Sequence, residues 1–332
     1  MRPPGFWFTP PDAPGLRARL LAPLGWLQAR RMAHRMARPG GWRAPLPVIC
    51  VGTLDAVGSD TTSTVQTLAL HLQARGRRPT ILMPGQRGPV AVDPQHHTAE
   101  DVGDAALLTA AFAPTWAARH RAAGARAIVR AAEGSPQGTD CILMADGVQD
   151  PYIVKDLTLI VADAVTGFGN GRSLPAGPLY EPVGTALARA DLLVSIGPPA
   201  AQKAFDRAWR HVIDIPKIRA RMEALQTGMD WRGARVLAFA GIAHPQMFFG
   251  ILRGLGTDLV RAEALEEHQP LTVALMTRLD REAKLLGAQL VTTEKDAVRL
   301  PPAFRRNVLT LPVRLQLEDP APLDAALDRV GL

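Results

Sequence analysis

Apolar positions along the chain follow two alternating patterns. Short unbroken runs of strand length, such as Leu46-Pro47-Val48-Ile49-Cys50-Val51-Gly52, give way to stretches in which apolar residues return at helical spacing. The first run leads through a Gly/Ser/Thr/Asp-rich segment (52–63) into a helix carrying Val65, Leu68, Ala69, Leu70 and Leu72 and ending near Gly76. Thr80 to Met83 reads as a second strand, residues 84–98 as a loop, and Asp101 to Phe112 and Ala117 to Ala132 as helices. Cys141 to Asp146 and Leu157 to Asp163 read as strands ending in acids. A Gly/Pro loop (167–182), a strand from Leu192 to Ile196 and a loop-rich stretch (198–232) follow. The alternation then restarts at Arg235 to Gly241 and continues with helix 245–254, strand 258–261, helix 271–286, strands Gln289 to Thr293 and Val308 to Val313, and a closing helix from Pro322.

Strands alternating with helices predict an α/β fold with a mostly parallel sheet flanked by helices. The loop-rich stretch is the natural boundary. The expected organisation is an N-terminal segment over residues 1–43, a core domain over 44–225 and a second, smaller α/β domain over 226–332. No internal repeat is present.

Charge singles out the first segment. The formal net charge of the whole chain is +7, and residues 1–43 hold eight arginines against one acid, Asp12, so that segment alone carries +7. A broad nucleic-acid surface would spread Lys and Arg over the domain, so no nucleic-acid partner is expected. Leu16, Leu20, Leu24 and Leu27 recur at helical spacing, with Phe6, Trp7, Phe8 and Trp26 nearby. A basic amphipathic helix with aromatics suits a membrane interface; the same pattern describes a helix packed on its own domain with its arginines in solvent. Pro23 argues against one straight helix. No apolar run reaches the roughly 18–20 residues of a membrane span, and Arg17 and Arg19 interrupt any secretion signal, so a cytoplasmic location is expected. Cys50 and Cys141 sit inside apolar runs and read as small buried hydrophobes.

In open α/β sheets, ligands bind beyond the carboxyl ends of the strands. After the first strand stands Val51-Gly52-Thr53-Leu54-Asp55-Ala56-Val57-Gly58-Ser59-Asp60-Thr61-Thr62-Ser63-Thr64-Val65. Strand, Gly/Ser/Thr turn and helix is the layout of a phosphate-binding loop. Such a loop needs glycines for backbone approach, a lysine on the β/γ-phosphates and Ser/Thr on Mg²⁺. Here the lysine is missing.

The wider pattern resembles the tetraacyldisaccharide 4'-kinases of lipid A biosynthesis. The phosphate turn is similar to their VGN-LTVGGTGKTPTV loop, Phe6-Trp7 with Leu20-Leu21-Ala22-Pro23-Leu24 to their membrane-associated N-terminus, Val102-Gly103-Asp104 to VGDE, and Arg119-His120-Arg121 to GRDR. Ala145-Asp146-Gly147-Val148-Gln149-Asp150 resembles DDGLQH, Phe168 to Leu179 resembles FGNGRLLPAGPL, Glu267-His268 resembles the DHH region, and Thr292 to Ala297 is identical to TTEKDA. The resemblance runs in order across nearly the whole chain. It implies a P-loop NTPase-like core, ATP and Mg²⁺ as cofactors, a lipid A disaccharide precursor as substrate, and a peripheral place on the inner membrane. It also implies roles: Gly58, Ser59, Asp60, Thr61, Thr62 and Ser63 around the nucleotide phosphates, Thr62 and Asp146 at Mg²⁺, Asp104 as the acid that assists deprotonation of the sugar hydroxyl, and His268 as a histidine of the second domain closing over the site. Read from the residues alone, Asp104 is a helix-start acid, Asp146 a turn cap and His268 a structural histidine.

The departures from the family fall at the chemistry. Thr61 stands in place of the lysine, Asp60 in place of the preceding Gly, Val57 in place of another, Ala145 in place of the first acid of the strand-end pair, Ala105 in place of the acid of VGDE, and Asp150 in place of the His of DDGLQH. All five lysines (Lys155, Lys203, Lys217, Lys284, Lys295) lie far downstream of the loop. Losing one preorganised charge-stabilising donor costs roughly 10²–10³ in rate, and an aspartate 4 Å from a phosphate charge adds repulsion on the order of 1–4 kcal/mol. Arg87 is a candidate for a substitute positive charge. Two activities stand open: phosphorylation of the lipid A precursor, and a non-catalytic relative that binds the precursor or a partner at the membrane.

Overall fold

The computed structural model describes residues 3–38, 40–57, 60–134, 138–242, 244–267 and 269–332. Contacts divide the chain into two units: residues 222–314 form one, and the chain before 222 together with 315–332 forms the other. The expected division ran the second domain to residue 332; the last strand and helix belong with the larger unit instead.

In the larger unit the strands are β1 (Val48–Gly52), β2 (Pro79–Pro84), β3 (Val90–Ala91), β4 (Thr115–Ala118), β5 (Cys141–Ala145), β6 (Leu157–Asp163), β7 (Leu192–Ile196) and β8 (Lys217–Ala224). The smaller unit contributes β9 (Arg235–Ala240), β10 (Asp258–Ala264), β11 (Gln289–Thr293) and β12 (Val308–Leu311), after which β13 (Val313–Leu317) leads back. The helices are α1 (Leu16–Met36), α2 (Thr61–Ala74), α3 (Ala99–Val102), α4 (Asp104–Thr109), α5 (Arg121–Glu133), α6 (Val183–Leu187), α7 (Pro199–Trp209), α8 (Pro245–Gly254), α9 (Val273–Leu286), α10 (Glu294–Ala297) and α11 (Ala321–Arg329).

The large sheet has nine strands in the order β13-β8-β7-β6-β1-β5-β2-β4-β3. Neighbours from β8 through β4 pair in parallel, and β3 runs antiparallel to β4 at the edge. Every residue of β1 and β5 is buried, as expected of central parallel strands covered on both faces. Cys50, Ile142 and Met144 join Ala125 and Ile128 of α5 on one face, while α2 packs on β1, β2 and β5. Burial pushes both thiols, Cys50 and Cys141, up to about 12, so they are inert hydrophobes at neutral pH.

The smaller unit has a four-stranded parallel sheet in the order β10-β9-β11-β12. Its strands alternate sides: Leu237 and Phe239 meet Met276 and Leu279 of α9, whereas Val236, Ala238 and Ala240 meet Phe248 and Phe249 of α8.

Three local readings change. Ala117 and Ala118, expected to begin a helix, instead close strand β4 (Thr115–Ala118), which pairs with Ile81 to Pro84. The stretch read as loop contains α7, opened by Pro199, and strand β8, which alternates in burial and lies between β13 and β7. Helix α1 runs unbroken through Pro23; Pro23 and Arg19 are both exposed, so water reaches the carbonyl that the proline leaves unpaired.

Candidate active site

The polar sequence at the carboxyl ends of β1, β5, β2 and β4 converges on one cavity of about 550 Å³. These four strands are consecutive neighbours in the sheet, which is why loops distant in sequence meet there. The turn after β1 supplies Thr53, Asp55 and Ala56; β2 ends in Pro84; the segment after β4 supplies Arg119 and Arg121; the loop after β5 supplies Asp146, Gln149 and Asp150; Tyr180, Met32 and Arg35 complete the lining.

The turn after β1 is built from local bonds. Thr53 Oγ1 donates to the Asp55 carbonyl at 3.0 Å, and the Val57 amide donates to Asp55 Oδ1 at 3.0 Å. The Ala56 amide reaches Pro178 O and the Tyr180 amide reaches Leu54 O, each at 2.9 Å. Gly52 lets the ends of β1 and β5 pass close together: a Cβ there would stand 3.0 Å from Val148 Cγ2 and 3.3 Å from Asp146 Cα. Asp146 has φ 50°, a left-handed conformation that Asp tolerates better than most residues. Its amide donates to Val51 O at 2.8 Å, which fixes the corner while its side chain stays exposed to the cavity. Gln149 Nε2 ties the two loops by donating to Thr53 O at 3.0 Å.

Three arginines (Arg35, Arg119, Arg121) and three aspartates (Asp55, Asp146, Asp150) line this space. Arg121 begins α5, donating from Nη1 to Ala118 O at 2.8 Å and from Nε to Ala145 O at 3.3 Å. Burial lowers its pKa, against the pull of Asp146 and Asp150, yet a guanidinium stays charged at any physiological pH. Burial raises the Tyr180 phenol, and Asp55 and Asp146 push the same way, so Tyr180 is a neutral hydroxyl that can donate or accept. Guanidinium groups of this kind bind phosphate oxygens, and carboxylate oxygens suit a hard divalent cation or a proton.

The other residues expected at the site fall as follows. Asp60 caps α2, with its carbonyl accepting from Thr64 Oγ1 at 3.0 Å. Thr61, Thr62 and Ser63 form the first turn of that helix, and Thr61 is only 5% exposed. Asp104 begins α4, where its Oδ1 accepts from the Ala105 amide at 2.9 Å; it is outside the cavity lining. Arg87 is exposed and also outside that lining; its carbonyl accepts from the Arg119 amide at 2.8 Å. Gly58, Ser59 and His268 lie outside the described residues. Arg35 and Tyr180 carry no sequence signal for this site, and Gln149, Arg119 and Arg121 stand out in sequence only as parts of motifs.

A model of the tetraacyldisaccharide-1-P 4'-kinase family matches residues 17–331. The chain belongs to the tetraacyldisaccharide 4'-kinase family. Tetraacyldisaccharide 4'-kinase of Dinoroseobacter shibae is 56% identical, with 99% of this chain and 97% of that protein covered. The protein of the same name from a Jannaschia species is 48% identical, with 99% of each covered. The fold is that of the LpxK of Aquifex aeolicus, whose structure in complex with ATP superimposes with a TM-score of 0.73 at 22% identity, covering 96% of this chain and 100% of that one. The family's FGNGR motif has a visible job here. Asn170, 2% exposed, donates to Ala176 O and Phe6 O at 2.9 and 3.2 Å, and Trp7 Nε1 donates to Pro175 O at 3.1 Å. Gly25 of α1 packs so tightly on this loop that a Cβ would lie 2.7 Å from Ser173 O. The motif thus anchors the N-terminal segment, whose last helical turns deliver Met32 and Arg35 to the cavity.

Proposed function

We propose that this chain transfers the γ-phosphoryl group of ATP to the 4'-hydroxyl of tetraacyldisaccharide 1-phosphate at the inner-membrane surface. The observation that carries the reading is the convergence of Arg119 and Arg121 with Asp146 and the turn 53–56 in one cavity at the carboxyl edge of the sheet. Phosphoryl transfer rests on positioning and charge neutralisation, and the two arginines after β4 supply the positive charge that Thr61 does not.

In this reading the segment from Gly58 to Ser63, as the family resemblance assigns it, binds the nucleotide phosphates. The transferred group leaves the β–γ bridging oxygen and bonds to the sugar oxygen, whose proton passes to a carboxylate. Asp104 holds that role by resemblance, and the resemblance likewise assigns His268 to catalysis. Among the described residues, no three acids, histidines or cysteines gather as a metal cage. That fits Mg²⁺, which arrives on phosphates and takes one or two protein oxygens; Thr62 and Asp146 are the oxygens we assign to it. Bound there, Mg²⁺ supplies charge neutralisation on the phosphate oxygens.

Among the described residues, no helix is long and apolar enough to cross a membrane. Helix α1 instead offers an interfacial surface. Leu16, Leu20, Leu24 and Leu27 form one exposed stripe, opposite the buried Ala18, Gly25 and Met32, and Arg30 stacks on the exposed Trp26 at 5.4 Å. Apolar side chains rimmed by arginines suit an anionic lipid surface.

The buried Thr61 and the cap residue Asp60 favour a second reading, in which the chain binds the lipid precursor without turning over ATP. One assay decides. Pure protein is incubated with ATP, Mg²⁺ and tetraacyldisaccharide 1-phosphate in mixed micelles, and the 4'-phosphate product is sought by mass spectrometry. Product that vanishes in Arg121→Met supports the kinase reading. Lipid binding without product supports the second, and neither product nor lipid binding refutes both.

A further inference from the structure

Lys155 bonds through its Nζ to the loop after β5 and lies outside the cavity lining. It is half-buried. Its Nζ donates to Val148 O at 3.2 Å and also to Asp150 O. These two carbonyls bracket Gln149, whose side chain holds Thr53 O at 3.0 Å. The same loop presents Asp146, Gln149 and Asp150 to the cavity. One ammonium therefore braces both the strand-end acid and, through Gln149, the first residue of the phosphate turn.

The geometry points to Lys155 as a positioning residue of the site: a half-buried ammonium that draws the carbonyls of Val148 and Asp150 inward and so sets the orientation of Asp146, Gln149 and Asp150. As a statement about turnover this rests on the kinase reading above; as a statement about the loop it does not. Backbone carbonyls are weak partners for a partly buried cation compared with a carboxylate, so the contact is sensitive to the charge state of the lysine. Burial lowers its pKa, Arg189 adds to that effect, and Cys50, Asp150 and Glu181 oppose it. Cys50 is a neutral thiol at working pH because burial pushes it up to about 12. The sign follows from the direction: Lys155 is charged at low pH and loses its grip as pH rises through its lowered pKa.

The test uses the full chain with Lys155→Met, which keeps the stem and removes the donors, and Lys155→Arg, which keeps charge and donors. Hydrogen exchange is read over residues 146–152, where the Asp146 and Asp150 amides are bonded to Val51 O and Gly147 O. Exchange there rises about ten-fold in Lys155→Met, as expected from losing bonds to a charged donor, and stays near wild type in Lys155→Arg. Phosphoryl transfer falls roughly 10²-fold in kcat with KM for ATP less affected, the scale of an ångström-sized misplacement; Arg restores most of it. The alkaline fall of the wild-type rate disappears in Lys155→Met and moves to higher pH in Lys155→Arg. If Lys155→Met does not fold, Lys155→Gln with the Arg variant gives the same comparison. Unchanged exchange over 146–152 in the Met or Gln variant overturns the inference, whatever the rate does. A wild type that makes no product while those amides lose protection in Lys155→Met removes the kinase reading and leaves the positioning role standing.

Discussion

Replacing Arg121 by methionine separates function from fold, and the structure supplies both sides of the comparison. Arg121 donates to Ala118 O at 2.8 Å and to Ala145 O at 3.3 Å. Ala118 O keeps the Gly85 amide at 3.1 Å, so it stays satisfied after the change. Ala145 O loses a donor, which costs about 1–3 kcal/mol. Against that loss, the substitution removes a cation that burial disfavours, and methionine retains much of the apolar stem. The net destabilisation is then about 1 kcal/mol, a Tm decrease of roughly 2–4 °C for a unit of this size. On the proposed kinase reading the same change deletes a preorganised cation that faces the transferring phosphate, worth roughly 10²–10³ in kcat, or about 3–4 kcal/mol. Function should therefore fall by several times more free energy than fold. Thermal unfolding by near-UV circular dichroism is run beside the phosphoryl-transfer assay, with ATP binding by calorimetry. Wild-type turnover and ATP affinity in the variant would refute the assigned role of Arg121; unfolding at a much lower temperature would refute the hydrogen-bond accounting.

Three further outcomes follow from the geometry. Glu181 is 1% exposed and accepts from Arg189 Nη2 at 2.8 and 2.7 Å through its two oxygens; Arg189→Ala strands that carboxylate and should cost about 3–5 kcal/mol in urea unfolding, whereas the double replacement by leucine costs far less. Asp324 of α11 is held below the usual carboxylate range by its hydrogen bond to His71 and then by Arg75. Its stabilisation is complete above the ordinary carboxylate pKa of about 3.9 and is lost as pH falls through the depressed value, so Asp324→Asn should remove part of the acid dependence of unfolding. Leu20 and Leu24 are 71% and 53% exposed; changing both to aspartate should weaken binding to anionic vesicles in a flotation assay while leaving the thermal midpoint nearly unchanged.

Much of the fold was legible because its central strands are unbroken apolar runs. Val48 to Val51, Cys141 to Ala145 and Leu157 to Ala162 have no reading other than buried strand in a chain whose helices show helical spacing. Elements that depend on neighbours were not legible. Thr115–Ala118 is a strand because Ile81 to Pro84 lies beside it, and Lys217–Ala224 is one because β7 does; the first is only 4 residues long, and the second alternates charged with apolar positions. The same misreading hid the site's positive charge. Arg119 and Arg121 stand where a strand ends and a helix begins, which is where a ligand-facing arginine belongs, yet with a helix expected from Ala117 onward they looked like residues inside a continuous surface helix. Tyr180 and Arg35 enter the cavity through the FGNGR loop and the far end of α1, and only tertiary packing brings those segments there.

The route of the chain through β8 and β13 bears on its synthesis. These strands are neighbours in the nine-stranded sheet, but the 222–314 unit lies between them in sequence. On a ribosome, β8 emerges while its partner is still untranslated, and it waits with one edge open while the whole intervening unit is made. Closure of that edge, and docking of α11 against Arg75, are necessarily late events. Stalled or prematurely terminated chains would expose an unpaired strand, the kind of surface that recruits chaperones or seeds misassembly.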